Sequence, residues 1–536
     1  MTRRFPLMLA LGATALSGCT LGPKYVRPDL PVPPSWPVGD AYLRQSEATL
    51  PAFTYRDIFR DVRLQSIIDR ALANNRDLRI AAANIEVARA RYRVQRADLL
   101  PQIDATGRYS YSGGGRGTRS TVGSSTGGSG LGIGTGTGTN PGTGTNPGTG
   151  TNPGAGTGTN TGTGTTGTVV ANGSNSTFAV DLGTTAFELD LFGRIRSLTG
   201  AALSRYFETE AAARATRLTL VGDIADAWLT YAADRSLLKV AQDTATSAET
   251  SVRLTNARLQ GGIAPRTDLR QAQQVLETAN ADLAQQRTAL AQDVNALQLL
   301  VGTPVDPALL PGSIEEAQAT VATLPAGLDS GVLLRRPDVV QAEYELRATN
   351  AQIGAARAEL FPRISLTGIL GFASTALTSL FSGGAFNYSV APSVSYPIFR
   401  AGAGRANVRL TQAQRDAALA TYERSIQVAF QETADALARQ GTFADQLRAN
   451  LNFRAAAQDT LNLNNARYRG GIDTFLSTLD AQRSYYTAQR TVITTQLIGA
   501  QNKVALYQAL GGDSTLDATA AGPVPVTLDG RPRPNP

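Results

Sequence analysis

Three residues late in the chain have types and spacing suited to acting on ions and solutes. Leu476, Asp480 and Arg483 fall at i, i+4 and i+7, so a helix carries them on one face. Repeated around a symmetry axis, they would form an apolar ring, an anionic ring and a cationic ring. An apolar ring stops flow by dewetting, and an aspartate ring favours cations. Arg467 and Arg469 stand just before Gly470-Gly471, where ion pairs between subunits would hold a helical tip shut. Solvated arginines at the carbonyl end of a helix would look the same. Asp268, in a related earlier stretch, is a third possible ion-pair partner and could equally be a helix N-cap.

Little other chemistry is available. The 536 residues include no His, one Cys and two Met, which excludes imidazole catalysis, Cys pairs and thiolate–imidazole couples. The polar residues are spread along helix faces with no nucleophile–base set, metal-ligand set or cofactor fingerprint, so neither an enzyme nor a cofactor is expected. The formal charge is +7, yet the basic residues are interleaved with acidic ones. Without a basic run or an aromatic platform, nucleic-acid binding is not expected either.

The elements that must position the first three residues occur twice. One helical arm runs from about Arg194 to Leu259, turns at Gly261-Gly262 and returns to Gly302. Another runs from about Ala403 to Tyr468, turns at Gly470-Gly471 and returns to Gly511. Each first arm would be about 100 Å long at ~1.5 Å per residue. Leu218, Val221, Ala225, Trp228 and Ala232 follow a 3-4-3-4 spacing, with a second seam at Leu220, Ile224, Ala227 and Tyr231. Leu419, Tyr422, Ile426, Ala429, Thr433 and Ala436 repeat the spacing in the other copy. Adjacent seams mean a helix packed between two neighbours. The Gly-Gly pair is expected to supply the left-handed residues of each turn. Before the first arm, one helix is expected from about Arg63 to Leu100, stopped by Pro101.

Between helices lie four stretches with alternating apolar and polar residues, two beginning after Pro101 and Pro362 and two returning through Phe178–Leu182 and Phe386–Tyr396. Their length suits tilted transmembrane strands, and aromatic residues gather toward their ends. Four strands cannot close a barrel, and an open edge cannot exist in lipid. Strands must therefore be shared between subunits. Two chains would give a filled eight-stranded barrel, and three a twelve-stranded one with a lumen. The long helices favour three.

Pro101 and Pro362 are 362−101 = 261 positions apart, whereas Gly261 and Gly470 are 470−261 = 209 apart. The excess fits an insertion at about 112–176, a Gly/Thr/Ser/Asn/Pro stretch too polar to build a core. At the N-terminus, Arg3-Arg4, an apolar run from Phe5 to Leu16 and Leu16-Ser17-Gly18-Cys19 have the pattern of a lipoprotein signal, with Cys19 as lipid attachment point. A Pro-rich extended segment follows.

The chain resembles the TolC-like outer-membrane efflux lipoproteins, of the NodT-like subfamily. The residues that carry the likeness are Cys19-Thr20-Leu21-Gly22-Pro23, Phe187-Glu188-Leu189-Asp190-Leu191-Phe192-Gly193-Arg194, Leu334-Arg335-Arg336-Pro337-Asp338, Ile353-Gly354-Ala355-Ala356-Arg357 and Ala466-Arg467-Tyr468-Arg469-Gly470-Gly471. The resemblance implies a mainly α chain with a transmembrane β-barrel. Four strands per chain would be shared in a trimeric, twelve-stranded barrel continued by a long periplasmic α-helical barrel. It also implies an outer-membrane location, a periplasmic adaptor, an inner-membrane pump of the resistance-nodulation-division class, and pore closure in the stretch holding Leu476 and Asp480. An acidic position of some relatives is Ser477 here, which puts a double anionic ring in doubt.

The expected division is a signal over 1–18, a lipidated extended segment over 19–60, a first repeat over 61–302, a linker over 303–330, a second repeat over 331–511 and a tail over 512–536. Within the repeats, strands are expected at about 101–111, 177–190, 362–373 and 386–398. The hairpin helices are expected at 194–302 and 402–511. The expected function is the gated outer-membrane exit duct of a tripartite efflux pump for small toxic compounds. A duct for exported polypeptides uses the same architecture, and a surface adhesin or spacer is the alternative from another class.

Overall fold

The computed structural model describes residues 21–37, 39, 41–42, 54–112, 175–324, 330–512, 518–519 and 522–523. Cys19, the expected signal over 1–18 and nearly all of the low-complexity stretch lie outside the described residues. The chain divides into two units. One comprises Met1–Pro101, Phe187–Ser365 and Pro392–Pro536, the other Gln102–Ala186 and Leu366–Ala391.

The first unit is helical, and its helices repeat with fixed offsets. Helix α1 is Val62–Asn74 and α2 is Arg76–Ala97. Helices α3 (Arg194–Gln260) and α4 (Arg266–Val301) form the first long hairpin. Helix α5 is Pro337–Ala358, and α6 (Ala403–Arg469) with α7 (Phe475–Ala509) forms the second hairpin. Helices α3 and α6 both have 67 residues and are offset by 209 at both ends (403−194 and 469−260). Helices α2 and α5 both have 22 residues and are offset by 261 (337−76 and 358−97).

The first α3 seam is wholly buried: Val221, Ala225, Trp228 and Ala232 have no exposed surface and Leu218 very little. It packs with Leu64, Ile67, Ile68 and Ala71 of α1 and with Val504 and Tyr507 of α7 in one apolar cluster. The buried indole of Trp228 donates to the Leu309 carbonyl at 3.1 Å, as an enclosed N–H must. Truncating it to Ala would cost about 3–5 kcal/mol. The matching α6 seam buries Tyr422, Ile426, Ala429, Thr433 and Ala436.

The single helix expected over Arg63–Leu100 is two helices, because Asn75 serves both. Its N–H closes α1 on the Ala71 carbonyl at 2.8 Å, and its side chain accepts from the Leu78 N–H at 2.9 Å to start α2. Its side-chain amide nitrogen donates to the Leu300 carbonyl at 2.8 Å. Gly302 ends α4 beside this break at φ +76, and a Cβ there would stand 2.7 Å from the Asn74 carbonyl oxygen.

The N-terminal segment lies along α5 as an extended strap. Asn350 donates to the Pro23 carbonyl and Arg357 to the Leu21 carbonyl. Glu343, only 1% exposed, receives Tyr25 Oη at 2.9 Å and Arg27 Nη2 at 2.6 Å. Farther along, Trp36 stacks on Phe430 with ring centroids 4.8 Å apart. Arg336, from the Arg335-Arg336-Pro337-Asp338 run, is buried where α5 begins. Its guanidinium meets Asp338, Glu432 of α6 and the Ala509 carbonyl at the end of α7.

The other unit holds most of a four-stranded sheet of β1 (Asp104–Ser112), β2 (Asn175–Glu188), β3 (Arg363–Ser374) and β4 (Phe386–Ser395), in that order. Strands β1 and β2 pair antiparallel, with Tyr109 opposite Phe178. Their rings lie 4.8 Å apart, and Phe372 meets Phe386 at 5.7 Å. Among the described residues the sheet is open, and β1 and β4 are its edges. Pro392 sits within β4, which an edge strand accommodates because no inward N–H is required there. Every β4 residue is exposed, including Tyr388 and Val390. Among the described residues no helix is long and apolar enough to cross a membrane.

Candidate functional site: the helical tips

Both long hairpins turn in the same way. Gly261 and Gly470 end α3 and α6 in right-handed conformation at φ −76. Only the second glycine of each pair, Gly262 or Gly471, is left-handed, at φ +73. The Ile263 N–H reaches back to the Arg258 carbonyl and the Gly262 N–H to that of Leu259; Ile472 and Gly471 repeat this with Arg467 and Tyr468. This pattern satisfies the last carbonyls of a helix with one left-handed residue. The Gly-Gly expectation is thus corrected: one glycine per turn is conformationally required. Each turn leaves an isoleucine, Ile263 or Ile472, 70% exposed at the tip.

Leu476, Asp480 and Arg483 all lie on α7, in its first three turns. The Leu476 side chain is 52% exposed. Arg483 Nη1 is 3.8 Å from Asp480 Oδ1, and both side chains are mostly in solvent. An apolar knob and a loose ion pair therefore share the free face, while Phe475, Thr478 and Leu479 beside and behind it are buried. Ser477 is turned to Asp473 at 3.3 Å.

The arginines before the turn have separate surroundings. Arg467 Nε donates to Asp473 Oδ2 at 3.0 Å within its own turn. That bond, with the Thr474 N–H, holds the Asp473 carboxyl below its ordinary pKa. Arg469 is the last residue of α6 and is exposed. Asp268 is not an N-cap: Pro265 occupies that position and Asp268 lies in the first turn of α4, where a carboxylate is favoured by the helix dipole.

Two ties between the hairpins escaped the sequence reading. The Arg258 guanidinium lies 4.5 Å over the Tyr468 ring, and Nη1 donates to the Tyr468 carbonyl at 3.3 Å. Tyr468 is in turn buried with Phe475, Leu479 and Ala272 in an apolar cluster at the tip. Farther from the turn, Tyr486 Oη of α7 donates to Asp282 Oδ2 of α4 at 2.6 Å, with Arg490 3.8 Å from the same oxygen. Burial and the bond to Asp282 push the Tyr486 hydroxyl up to about 12. A signal was present, since Arg258 and Arg467 are equivalent under the 209-residue offset (467−258) while their surroundings differ. Leu259 and Ala264 stand where the second copy has Tyr468 and Asp473.

Open-edged strands of membrane-crossing length and two equal helical hairpins, with an apolar and charged face near one tip, define a subunit of a membrane channel. The profile of a family described as outer membrane efflux protein matches residues 67–135, 150–303 and 329–512. The toluene efflux pump outer membrane protein TtgC of Pseudomonas putida is 40% identical over 511 residues, 94% of this chain and 95% of that one. The antibiotic efflux pump outer membrane protein ArpC of the same organism is similar to the same extent. Among solved structures, the open-state MtrE outer membrane channel of Neisseria gonorrhoeae is 31% identical with a TM-score of 0.74, over 92% of this chain and 98% of that one. The chain belongs to the outer membrane efflux protein family. It is a β-barrel channel component of the outer membrane with a helical periplasmic extension, and it provides the exit step of an efflux pump.

Proposed function

We propose that three copies assemble into one duct, gated at the helical tips by rings of Leu476, Asp480 and Arg483. The observation that carries the gate is the free face of α7, where Leu476 is 52% exposed beside a buried cluster. A leucine is left in water at this point because another copy of it meets it around the axis. The two sheet edges left by β1 and β4 support the assembly, since lipid admits no unpaired edge. Three copies give twelve strands and a lumen. Cys19 carries the lipid anchor, and the strap from Leu21 onward leads from it along α5.

Each chain offers two equivalent apolar knobs, Ile263 and Ile472, on identical turns. They suit a periplasmic adaptor that docks end-on and links the duct to an inner-membrane pump of the resistance-nodulation-division class. The cargo is small organic toxicants, consistent with relatives named for toluene and antibiotic efflux. The Arg258–Tyr468 and Asp282–Tyr486 ties hold the hairpins together in the closed state, and adaptor contact opens them.

The test is conductance of the purified protein in a planar bilayer, wild type beside Leu476→Ala/Asp480→Ala. Small cation-preferring currents that grow in the variant support the gate. A large, equal conductance in both removes the gate and keeps the channel. Absence of current in both, from folded protein, removes the duct reading.

A further inference from the structure

Between α4 and α7 lies a cleft of about 630 Å³, a volume within the range of small-molecule sites. Thr244 of α3 contributes to its lining, and the Asp282–Tyr486 bond joins its two walls. These walls are equivalent helices of the two repeats. Gln273 lines the cleft from α4 and Gln482 from α7, and the two correspond under the 209-residue offset (482−273).

The equivalent glutamines are not used alike. Arg270 Nη1 donates to the Gln273 carboxamide oxygen at 2.8 Å, which leaves the Gln273 nitrogen as a donor. Gln482 is only 8% exposed, and among the described residues nothing bonds to its carboxamide. An enclosed amide without a partner is costly, because it has given up water and gained nothing in return. The charged groups of the lining are already engaged. Asp282 accepts from Tyr486 with Arg490 close by, Arg483 lies near Asp480, and Arg270 is held by Gln273. Glu277 is exposed. The cleft therefore calls for no net charge. What it lacks is one donor and one acceptor for Gln482, beside the apolar side chains of Val275 and Ala279.

We propose that this cleft binds a small neutral molecule carrying a carboxamide or lactam on an apolar body. The ligand N–H donates to Gln482 Oε1, and its carbonyl accepts from the amide nitrogen of Gln482 or Gln273. Its apolar part lies against Val275 and Ala279. A ligand there touches both hairpins and adds contacts that exist only while α4 and α7 are together, so occupancy favours the closed tip. The site itself is built from one chain; its effect on opening rests on the tip-gate reading above.

The experiment titrates the purified full chain with benzamide by calorimetry and records single channels with and without it. Benzamide should bind. Acetophenone, which keeps the ring and carbonyl but lacks the N–H, should bind about tenfold more weakly. Gln482→Leu should cost benzamide a similar factor. Ala279→Leu, which fills the cleft and leaves the amide in place, should abolish binding; a native melting temperature checks the fold of both variants. No benzamide binding, equal affinity for the two compounds, or affinity unchanged in both variants overturns the site. Benzamide should lengthen closed times in the wild type and leave Gln482→Leu unaffected. Closed times that ignore benzamide, in protein that binds it, overturn the effect on opening and leave the site standing. Absence of current in every sample removes the duct reading, and the calorimetry still decides the site.

Discussion

The Arg258 side chain reaches from the end of one hairpin to the end of the other, its guanidinium 4.5 Å above the ring of Tyr468. Its equivalent, Arg467, bonds instead to Asp473 in its own turn. One arginine of the pair therefore joins the two hairpins, and the other stiffens a single tip.

Replacing Arg258 with Ala should loosen the tips more than replacing Arg467. A stacked cation and one hydrogen bond together contribute about 1–2 kcal/mol, which is roughly a tenfold shift in a closed–open ratio. Single-channel recording should show longer or larger openings for Arg258→Ala and a weaker effect for Arg467→Ala. Equal effects would contradict the division of roles.

Stability should fall as pH rises from mildly acidic to neutral. Burial, then the nearby Asp234 charge and a hydrogen bond to Asp234, pushes Asp293 up to about 7. Burial and the Glu345 charge do the same to Glu208, also to about 7. Unfolded carboxyls titrate near ~4, so between about 4 and 7 the folded chain binds more protons than the unfolded one. The stabilisation is complete below that window and lost as pH climbs through it. The thermal midpoint should be higher at pH 5 than at pH 8 from these groups, and Asp293→Asn should flatten the difference.

Arg336→Ala removes the side chain that ties Asp338, Glu432 and the end of α7 to one point. The Ala509 carbonyl is left without this donor, so a loss of about 2 kcal/mol is expected in denaturant unfolding. Arg336→Lys should recover only part of it, because an ammonium cannot present the planar fork.

Gly471→Ala should disturb the tip and Gly470→Ala should not. The first forces a Cβ into left-handed backbone at φ +73, a cost of about 1–2 kcal/mol, while the second replaces a right-handed glycine. Amide exchange around Tyr468 and Phe475 should rise in the first variant only.

Much of this was legible because the relevant signals are local. Heptad spacing located the buried face around Trp228, and Gly470-Gly471 located the turn. The break at Asn75 was missed because one residue, through its backbone N–H and its side chain, satisfies two helices and a carbonyl 225 positions away. The ties from Arg258 to Tyr468 and from Asp282 to Tyr486 bridge more than 200 positions, and periodicity within a helix carries no information about them.

The two 67-residue helices also limit how such a chain can change over generations. Losing one residue from either arm would turn every later side chain by about 100° and shorten that arm by ~1.5 Å. Both its own seam and its match to the twin would be lost. Acceptable deletions would have to come in sevens and in both copies at once, so point substitution is the open route within the helices. Length variation is then confined to segments outside the long helices.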